Sequence, residues 1–477
     1  MATGLLLFFL GLPTGCKPKE DPTEARRAQI VSNTLHKAGS ASPAQGGRRP
    51  LIISEPAPDQ RQWALQALLR GYESTGRTNA LWDDKVRRAF DAFTLYTRVG
   101  TTNWPALQKE LAAAVATGCD DPMIQYMRVR YSEETASNEK FAAEFLQAHE
   151  AMQKSQHHPI FKFFAGIRTA GSLRTANKNS PRGDIVAVFM ADLVDLVRDT
   201  NAPVKEIFQS VGMLFEHSTD KRWIASVMTM LQPELESRHG QTEEWLVLLG
   251  RVEIDRAWGD RGGSYAYKVT DEGWKGFSEH LHKAEAALNK AWELNPTNAF
   301  TAYQMMRLEL GQGRSMSRMR TWFLRAMTLA TNYYDAAWLM AYYLEPRWHG
   351  SEEQALAFGR SCVASKEWGG RVPLVLHYLH ESLAKYNQLS NSPAYWQRPQ
   401  VWPDVKSSFD KFFVLNPDDH SYRHDYARAA YYCGQYPVFL EQAKLFSTGT
   451  NHTFFGGPEK FQEMVAKAST ASAKPPP

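Results

Sequence analysis

Two pairs of histidines have the spacing that brings two imidazole rings onto one face of a helix. His420 and His424 lie four residues apart in "HSYRHDY", and "HYLHE" places His377 and His380 three residues apart, followed by Glu381. Residues three or four apart are neighbours on a helix surface. A zinc-protease helix needs a glutamate directly after its first histidine as general base, and neither pair has one. The sequence therefore predicts that these histidines pack between helices or face solvent, and it indicates no metal site.

The other motifs that suggest chemistry are better explained by turns and helix ends. "SQHHP" (155–159) is typical of a turn, and "LGQGR" (310–314) follows a helical pattern, so its Gly-x-Gly predicts a helix C-cap. The pairs Asp120–Asp121 and Asp418–Asp419 adjoin prolines at helix starts, where carboxylates cap free N–H groups. The sequence contains no nucleophile elbow and no phosphate-binding loop. It therefore indicates no catalytic residue and no cofactor.

Two loops rich in aromatic and basic residues are the best candidates for a binding surface. "IDRAWGDRGGSYAYKVTDEGWKGF" (254–277) contains five glycines, two tryptophans and two tyrosines, and "EPRWHGSEE" (345–353) is a second such interruption. Tryptophan and arginine are typical binding hot spots, and loops on rigid scaffolds often carry function. The alternative is structural, with the tryptophans packed between helices and the arginines bonded to helix carbonyls. The predicted partner-binding residues are Trp258, Arg261, Tyr265, Trp274, Arg347 and Trp348.

These loops interrupt a chain whose apolar residues recur three and four apart almost throughout. Segments such as "KVRRAFDAFTLYTRV" and "DIVAVFMADLVDLVRD" have this period, and no segment alternates as a strand would. Residues 17–60 and the end "KASTASAKPPP" are rich in Pro, Ala and Ser, which predicts unstructured segments. The predicted divisions are a leader (1–16), a tether (17–60), a divergent helical region (61–250), a helical-repeat region (251–450) and a C-terminal tail (451–477).

A repeated stop and restart of helices explains how these segments are joined. "LNKAWELNPTNAFTAY" (288–303) aligns with "FLRAMTLATNYYDAAW" (323–338) at an offset of 323 − 288 = 35 residues, and Leu-Asn-Pro recurs at 415–417. Proline disfavours helix in the residue before it and can supply the φ angle of a following first turn. Small residues such as Ala291 and Ala302 would let the two helices approach closely. The sequence thus predicts an all-α superhelical solenoid of stacked antiparallel helix pairs.

The repeat length and the Leu-Asn-Pro joint resemble those of tetratricopeptide repeats, over about 280–345 and 402–445. The segment "YYLEPRWHGSEEQALAF" (342–358) is also similar to bacterial repeat-associated domains of unknown function. The resemblance implies a fold and a generic role in binding proteins or peptides. It transfers no catalytic residue.

The first residues of the chain predict export. "MATGLLLFFLGLPTGC" has a short apolar run from Leu5 to Leu12, and Cys16 follows Thr-Gly in a pattern that resembles a bacterial lipobox. We therefore expect lipidation of Cys16 and anchoring of the protein to a membrane in the cell envelope. A different export signal and a plain soluble start are the alternatives.

The composition of the chain restricts the classes of partner that it is expected to bind. The formal net charge is +4 over 477 residues, and no run of lysine and arginine is dense enough to follow a phosphate backbone, so we expect no nucleic acid. Cys119, Cys362 and Cys433 show no C-x-x-C spacing and predict buried small hydrophobes. The sequence favours a non-catalytic scaffold that binds a protein or peptide partner. The alternatives are an unrecognised envelope hydrolase and a permanent structural subunit of an envelope assembly.

Overall fold

The computed structural model describes residues 58–95, 104–131, 138–176, 183–217, 221–417, 419, 422–445 and 452–472. These residues form 21 α-helices and no strand, so the predicted all-α class is confirmed. Cys16, the tether up to residue 57 and His420 lie outside the described residues. The helices are α1 Pro58–Ser74, α2 Asp83–Thr94, α3 Trp104–Ala116, α4 Pro122–Arg130, α5 Asn138–Gln153, α6 Pro159–Ala176, α7 Gly183–Arg198, α8 Val204–His217, α9 Lys221–His239, α10 Glu243–Arg261, α11 Asp271–Leu294, α12 Ala299–Gln312, α13 Met316–Leu329, α14 Tyr334–Tyr343, α15 Glu352–Ala364, α16 Val375–Tyr386, α17 Pro393–Trp396, α18 Val401–Leu415, α19 Arg423–Tyr432, α20 Tyr436–Lys444 and α21 Pro458–Ser472.

The chain divides into two compact units, between Arg256 and Ala257, with 289–294 counted in the first unit. In the first unit, successive helices from α1 to α9 pack in sequence, and α6 also contacts α8 while α7 contacts α9. In the second unit, α12 packs on α13, α15 on α16 and α19 on α20. There α12 also lies beside α14, and α14 beside α16, so every second helix forms one layer. This pattern is that of a helical solenoid of stacked pairs, as the sequence predicts.

The helix joints lie where the repeat predicts them, but the proline acts differently. Helix α11 ends at Leu294 and α12 begins at Ala299. Between them the Thr297 N–H donates to Asn295 Oδ1 (3.1 Å), and the Asn298 side chain caps α12. Pro296 therefore lies within the turn and not in the first turn of α12, and that part of the prediction is wrong. An asparagine side chain, which can accept from backbone N–H groups, starts the helix instead.

Small side chains are buried at the contacts between these helices. A bulkier side chain would hold the helix axes farther apart, whereas alanine lets them approach. The alanines aligned in the two repeats, and two alanines that follow the third Leu-Asn-Pro, are fully buried: Ala291, Ala302, Ala326 and Ala337, then Ala427 and Ala430. Burial of apolar surface at these contacts is worth about 25 cal/mol per Å².

Two further helix-end predictions are confirmed. Asp121 caps α4, where its Oδ1 accepts from the N–H groups of Met123 and Ile124 (3.0 and 3.1 Å). Gly313 follows α12 with φ 58°, in the left-handed region that glycine enters at little cost. The three cysteines with described surroundings are buried and free, also as predicted: Cys119, Cys362 and Cys433.

The end of the chain differs from its prediction. Helix α21 extends to Ser472, so residues 467–472 are helical and the prediction of an unstructured segment there is wrong. Phe461, Met464 and Ala468 are buried in a cluster with Phe439 of α20 and Phe455. These residues lie three and four apart, and their apolar stripe stabilises a helix whose polar composition alone suggested a loop. No helix among the described residues has the length and hydrophobicity to span a bilayer.

A steric test of the packing in the first unit uses Gly71 of α1. A Cβ atom there would lie 2.3 Å from Nδ1 and 3.1 Å from Cα of His157. His157 Nε2 lies 3.1 Å from Asp121 Oδ2, so the close approach at Gly71 also keeps the cap of α4 in place. We expect Gly71→Ala to lower the free energy of unfolding by about 1–3 kcal/mol, measured by urea denaturation.

Gly212→Ala is the matched control, because a Cβ at that position inside α8 would meet nothing within 4 Å. We expect it to raise the free energy of unfolding by about 0.4–1 kcal/mol through helix propensity and loss of unfolded-state entropy. Equal changes in the free energy of unfolding for the two substitutions would contradict the close packing at Gly71.

Candidate functional site

The structure brings together the two loops that the sequence singles out. Trp258 lies near the end of α10, and Trp348 lies in the loop between α14 and α15. Their ring centroids are 6.0 Å apart with planes at 88°, and Phe277 of α11 lies 5.1 Å from Trp258. Edge-to-face contacts of this kind stabilise aromatic pairs. One aromatic cluster therefore joins residues that are 90 positions apart (348 − 258) in the sequence.

Arg261, the last residue of α10, lies between two tryptophans. Its guanidinium carbon is 5.5 Å from the ring centroid of Trp258 and 5.3 Å from that of Trp274. Its Nη1 donates to the carbonyl oxygens of Gly262 and Ser264, both at 3.2 Å. Burial lowers the pKa of the guanidinium. These contacts hold Arg261 in a cation–π arrangement that also closes the loop after α10.

Two aromatic side chains of the segment 254–277 remain open to solvent. Tyr267 is 74% exposed and Trp274 is 37% exposed. Tyr265 stacks on Tyr267, with ring centroids 5.3 Å apart and planes at 16°. We call Trp258, Arg261, Tyr265, Tyr267 and Trp274 the indole–arginine patch. Exposed aromatic rings above a rigid base are typical of contact surfaces.

Tyr267 is absent from the predicted binding residues. The sequence signal was its place in "SYAYK", two residues after Tyr265. A 3₁₀ turn at Ala266–Lys268 sets the two rings face to face, and sequence spacing alone does not specify that turn. Lys268 Nζ lies 5.8 Å from the Tyr267 ring centroid.

Arg347 has a structural role, but its partners are side chains and not the helix carbonyls of the structural alternative. It pairs with the carboxylate of Glu345, which is 0% exposed, and its Nη2 donates to Ser382 Oγ of α16. Its guanidinium carbon also lies 5.0 Å from the ring centroid of Tyr342. A buried carboxylate requires such compensation, because removal of a charge from water is costly. Arg347 thus anchors the loop to two helices.

The same loop is held by close backbone packing. A Cβ on Gly350 would lie 2.2 Å from the carbonyl oxygen of Leu344, so only glycine fits there. The His349 N–H donates to the carbonyl oxygen of Tyr343 (3.1 Å), and Ser351 caps α15 by accepting from the Gln354 N–H (3.2 Å). Trp348 is therefore presented by a loop with defined ends.

The histidines of "HYLHE" are buried in two polar networks of the second unit. The His380 ring nitrogens lie 3.1 Å from Tyr395 Oη and 3.1 Å from Asp404 Oδ2. Arg360 donates to both oxygens of Asp404. The pKa of Asp404 is lowered because the hydrogen bonds from His380 and Arg360 outweigh the effect of burial. His380 is 0% exposed, which fits a packing role.

His377 lies in a second network that is not fully satisfied. Its ring is 0% exposed, neither ring nitrogen has a hydrogen-bond partner, and Nε2 is 3.6 Å from Glu381 Oε1. Arg428 of α19 donates to Glu381 (2.6 Å) and to Asp425 (3.2 Å). Burial lowers the pKa of His377 to about 4 and raises the pKa of Asp425 to about 6, in each case against nearby opposite charges.

Two further described histidines pack against neighbouring side chains. His158 Nε2 lies 2.8 Å from Asp199 Oδ2, and the His424 ring lies 5.7 Å from that of Phe454. Among the residues that the structure describes, no group of three or more His, Cys, Asp or Glu side chains could hold a metal ion. For these histidines the geometry favours helix packing over metal binding.

The fold defines a class of protein, an all-α helical solenoid of stacked helix pairs, and the patch adds exposed aromatic side chains to it. No protein-family model matches the chain, and no curated protein matches it.

Opposite pH dependences are expected for two variants of the network around His377. The pKa of folded Asp425, about 6, exceeds its ordinary 3.8, so this group adds stability as the pH falls from about 6 to 4. The pKa of folded His377, about 4, lies below its ordinary 6.5, so this group removes stability as the pH falls from 6.5 to about 4. Relative to wild type, Asp425→Asn should therefore lose stability on acidification, and His377→Phe should gain it.

Urea denaturation at a series of pH values measures both differences. Parallel pH profiles for the two variants would contradict the opposite titrations.

Arg347→Ala is expected to lower the free energy of unfolding by about 3–5 kcal/mol, because it leaves the buried Glu345 carboxylate without its cation. Thermal or urea denaturation measures the loss. Adding Glu345→Gln should recover part of it, since the amide carries no charge. A loss below about 1 kcal/mol would show that the pair is not structural and would return Arg347 to the candidate binding residues.

Proposed function

We propose that this protein is a tetratricopeptide-like scaffold that binds a protein or peptide partner and performs no catalysis. It would be exported and anchored in the cell envelope through lipidated Cys16. The observation that carries the binding proposal is the indole–arginine patch, where Trp274 and Tyr267 stay exposed while Arg261 lies against Trp274 and Tyr265 stacks on Tyr267. Preorganised aromatic side chains lower the entropic cost of binding.

The layered helices of the second unit support the same role. Tyr334 of α14 lies 6.4 Å from Tyr378 of α16, by ring centroids, and Glu381 of α16 pairs with Arg428 of α19. Polar and aromatic side chains thus link three helices of this unit. Stacked helices of this kind offer an extended partner several contacts in a row.

A hydrolase is less well supported by the histidine geometry. A general base must reach the proton that it removes, directly or through a water molecule. His377 and His380 are both fully buried, and their acidic neighbours serve ion pairs with Arg428 and Arg360. Nothing specific favours the permanent-subunit alternative over a reversible scaffold.

Site-specific photo-crosslinking in the cells that make the protein tests the proposal. A photoreactive phenylalanine at Tyr267 should give discrete adducts, and Trp274→Ala in the same chain should abolish them. The matched control is the same residue at Val414, which is 76% exposed on α18 and outside the patch. Equal adduct patterns from both positions would contradict a binding role for the patch. Membrane fractionation of Cys16→Ser in the same cells tests the anchor separately.

A further inference from the structure

Arg261 differs from several other arginines of its unit in the groups that compensate its charge. Four of those arginines have a carboxylate partner: Arg347 with Glu345, Arg360 with Asp404, Arg318 with Glu309 and Arg428 with Glu381. Arg261 has the carbonyl oxygens of its own loop and two indole faces, and no carboxylate partner among the described residues. Its charge is partly removed from water without an opposite charge nearby.

The acidic neighbour in sequence does not compensate this charge. Asp260 Oδ2 lies 3.4 Å from His280 Nε2, and a Cβ on Gly276 would lie 2.3 Å from the same carboxylate oxygen. The Asp260 carboxylate is therefore packed against α11. Both hydrogen bonds of Arg261 use Nη1, which leaves Nε and Nη2 for an outside acceptor.

From this geometry we propose that the indole–arginine patch binds an acidic segment of a partner protein. An Asp or Glu side chain of the segment pairs with Nε and Nη2 of Arg261, and an adjacent apolar side chain packs on Trp274 and Tyr267. This inference rests on the proposed scaffold function and specifies the partner's chemistry. A carboxylate matches the planar fork of the guanidinium and supplies the missing charge.

A polyanion such as nucleic acid fits the surroundings less well. Lys268 is the one cation between the end of α10 and the start of α11, and Lys275 of α11 lies 4.0 Å from Glu279. Asp271 and Glu272 occupy the first turn of α11. A row of phosphates across the patch would meet these carboxylates, whereas a single acidic side chain at Arg261 need not. The charge pattern thus favours a local carboxylate contact.

The test is selection of peptides from a phage-displayed random library of about 12 residues on the immobilised full chain. Selected peptides are synthesised with a fluorescent label, and their affinities are measured by anisotropy. We expect enrichment of Asp and Glu over the unselected library. Arg261→Gln should weaken binding at least about 10-fold, as loss of a charge-assisted hydrogen bond does.

Two further measurements keep the test independent of folding. A peptide whose critical Asp or Glu is replaced by Asn or Gln should bind wild type as weakly as the original peptide binds Arg261→Gln. The replaced peptide and Arg261→Gln together should lose little further affinity. Arg325→Gln is the matched control, because Arg325 also lies over a tryptophan, Trp322, at 4.3 Å, but outside the patch. Its affinity for the peptides should equal that of wild type.

The outcomes separate this inference from the proposed function. Peptides that lose binding with Trp274→Ala but bind Arg261→Gln as tightly as wild type would overturn the acidic partner and leave the scaffold function intact. Failure to select any peptide whose binding depends on Trp274 would overturn both.

Discussion

Close contact between successive helices is the constraint on which the rest of this structure depends. A single amphipathic helix pair cannot bury its apolar face, so each pair is stable only against its neighbours. Fully buried alanines such as Ala302 and Ala337 set the distance at which this contact occurs. With the helix axes fixed, the loops between them have fixed ends. The loop that carries Trp348 is positioned by these fixed ends together with its own contacts through Arg347 and Gly350.

The second requirement is that buried charged side chains have partners, because close helix packing also removes charges from water. Glu345 and Glu309 are 0% exposed, and each is paired with an arginine. Such pairs add little net stability over apolar residues, but loss of one partner leaves an uncompensated charge. They therefore fix which surfaces can meet. In contrast to these pairs, Arg261 hydrogen-bonds only to carbonyl oxygens among the described residues, and this gives the indole–arginine patch its chemical character.

Part of the candidate site could be predicted from the sequence. The two loops were identified because glycine and aromatic clusters interrupt an otherwise regular helical period. Their contact through Trp258 and Trp348 could not be predicted, since it joins residues 90 positions apart in the sequence. For the same reason the sequence could not show that Arg347 pairs with a buried glutamate whereas Arg261 does not.

The sequence by itself determined the helices, because the apolar period of 3.6 residues and the capping residues act within a few positions. It failed for the last helix, where the polar composition of residues 467–472 hid an apolar stripe that becomes stable only against Phe439 and Phe455. Only the tertiary structure decided which aromatic rings stay in solvent and which charges are paired. Exposure and charge pairing depend on spatial neighbours that are distant in sequence. Composition and periodicity contain no information about which distant residues become neighbours.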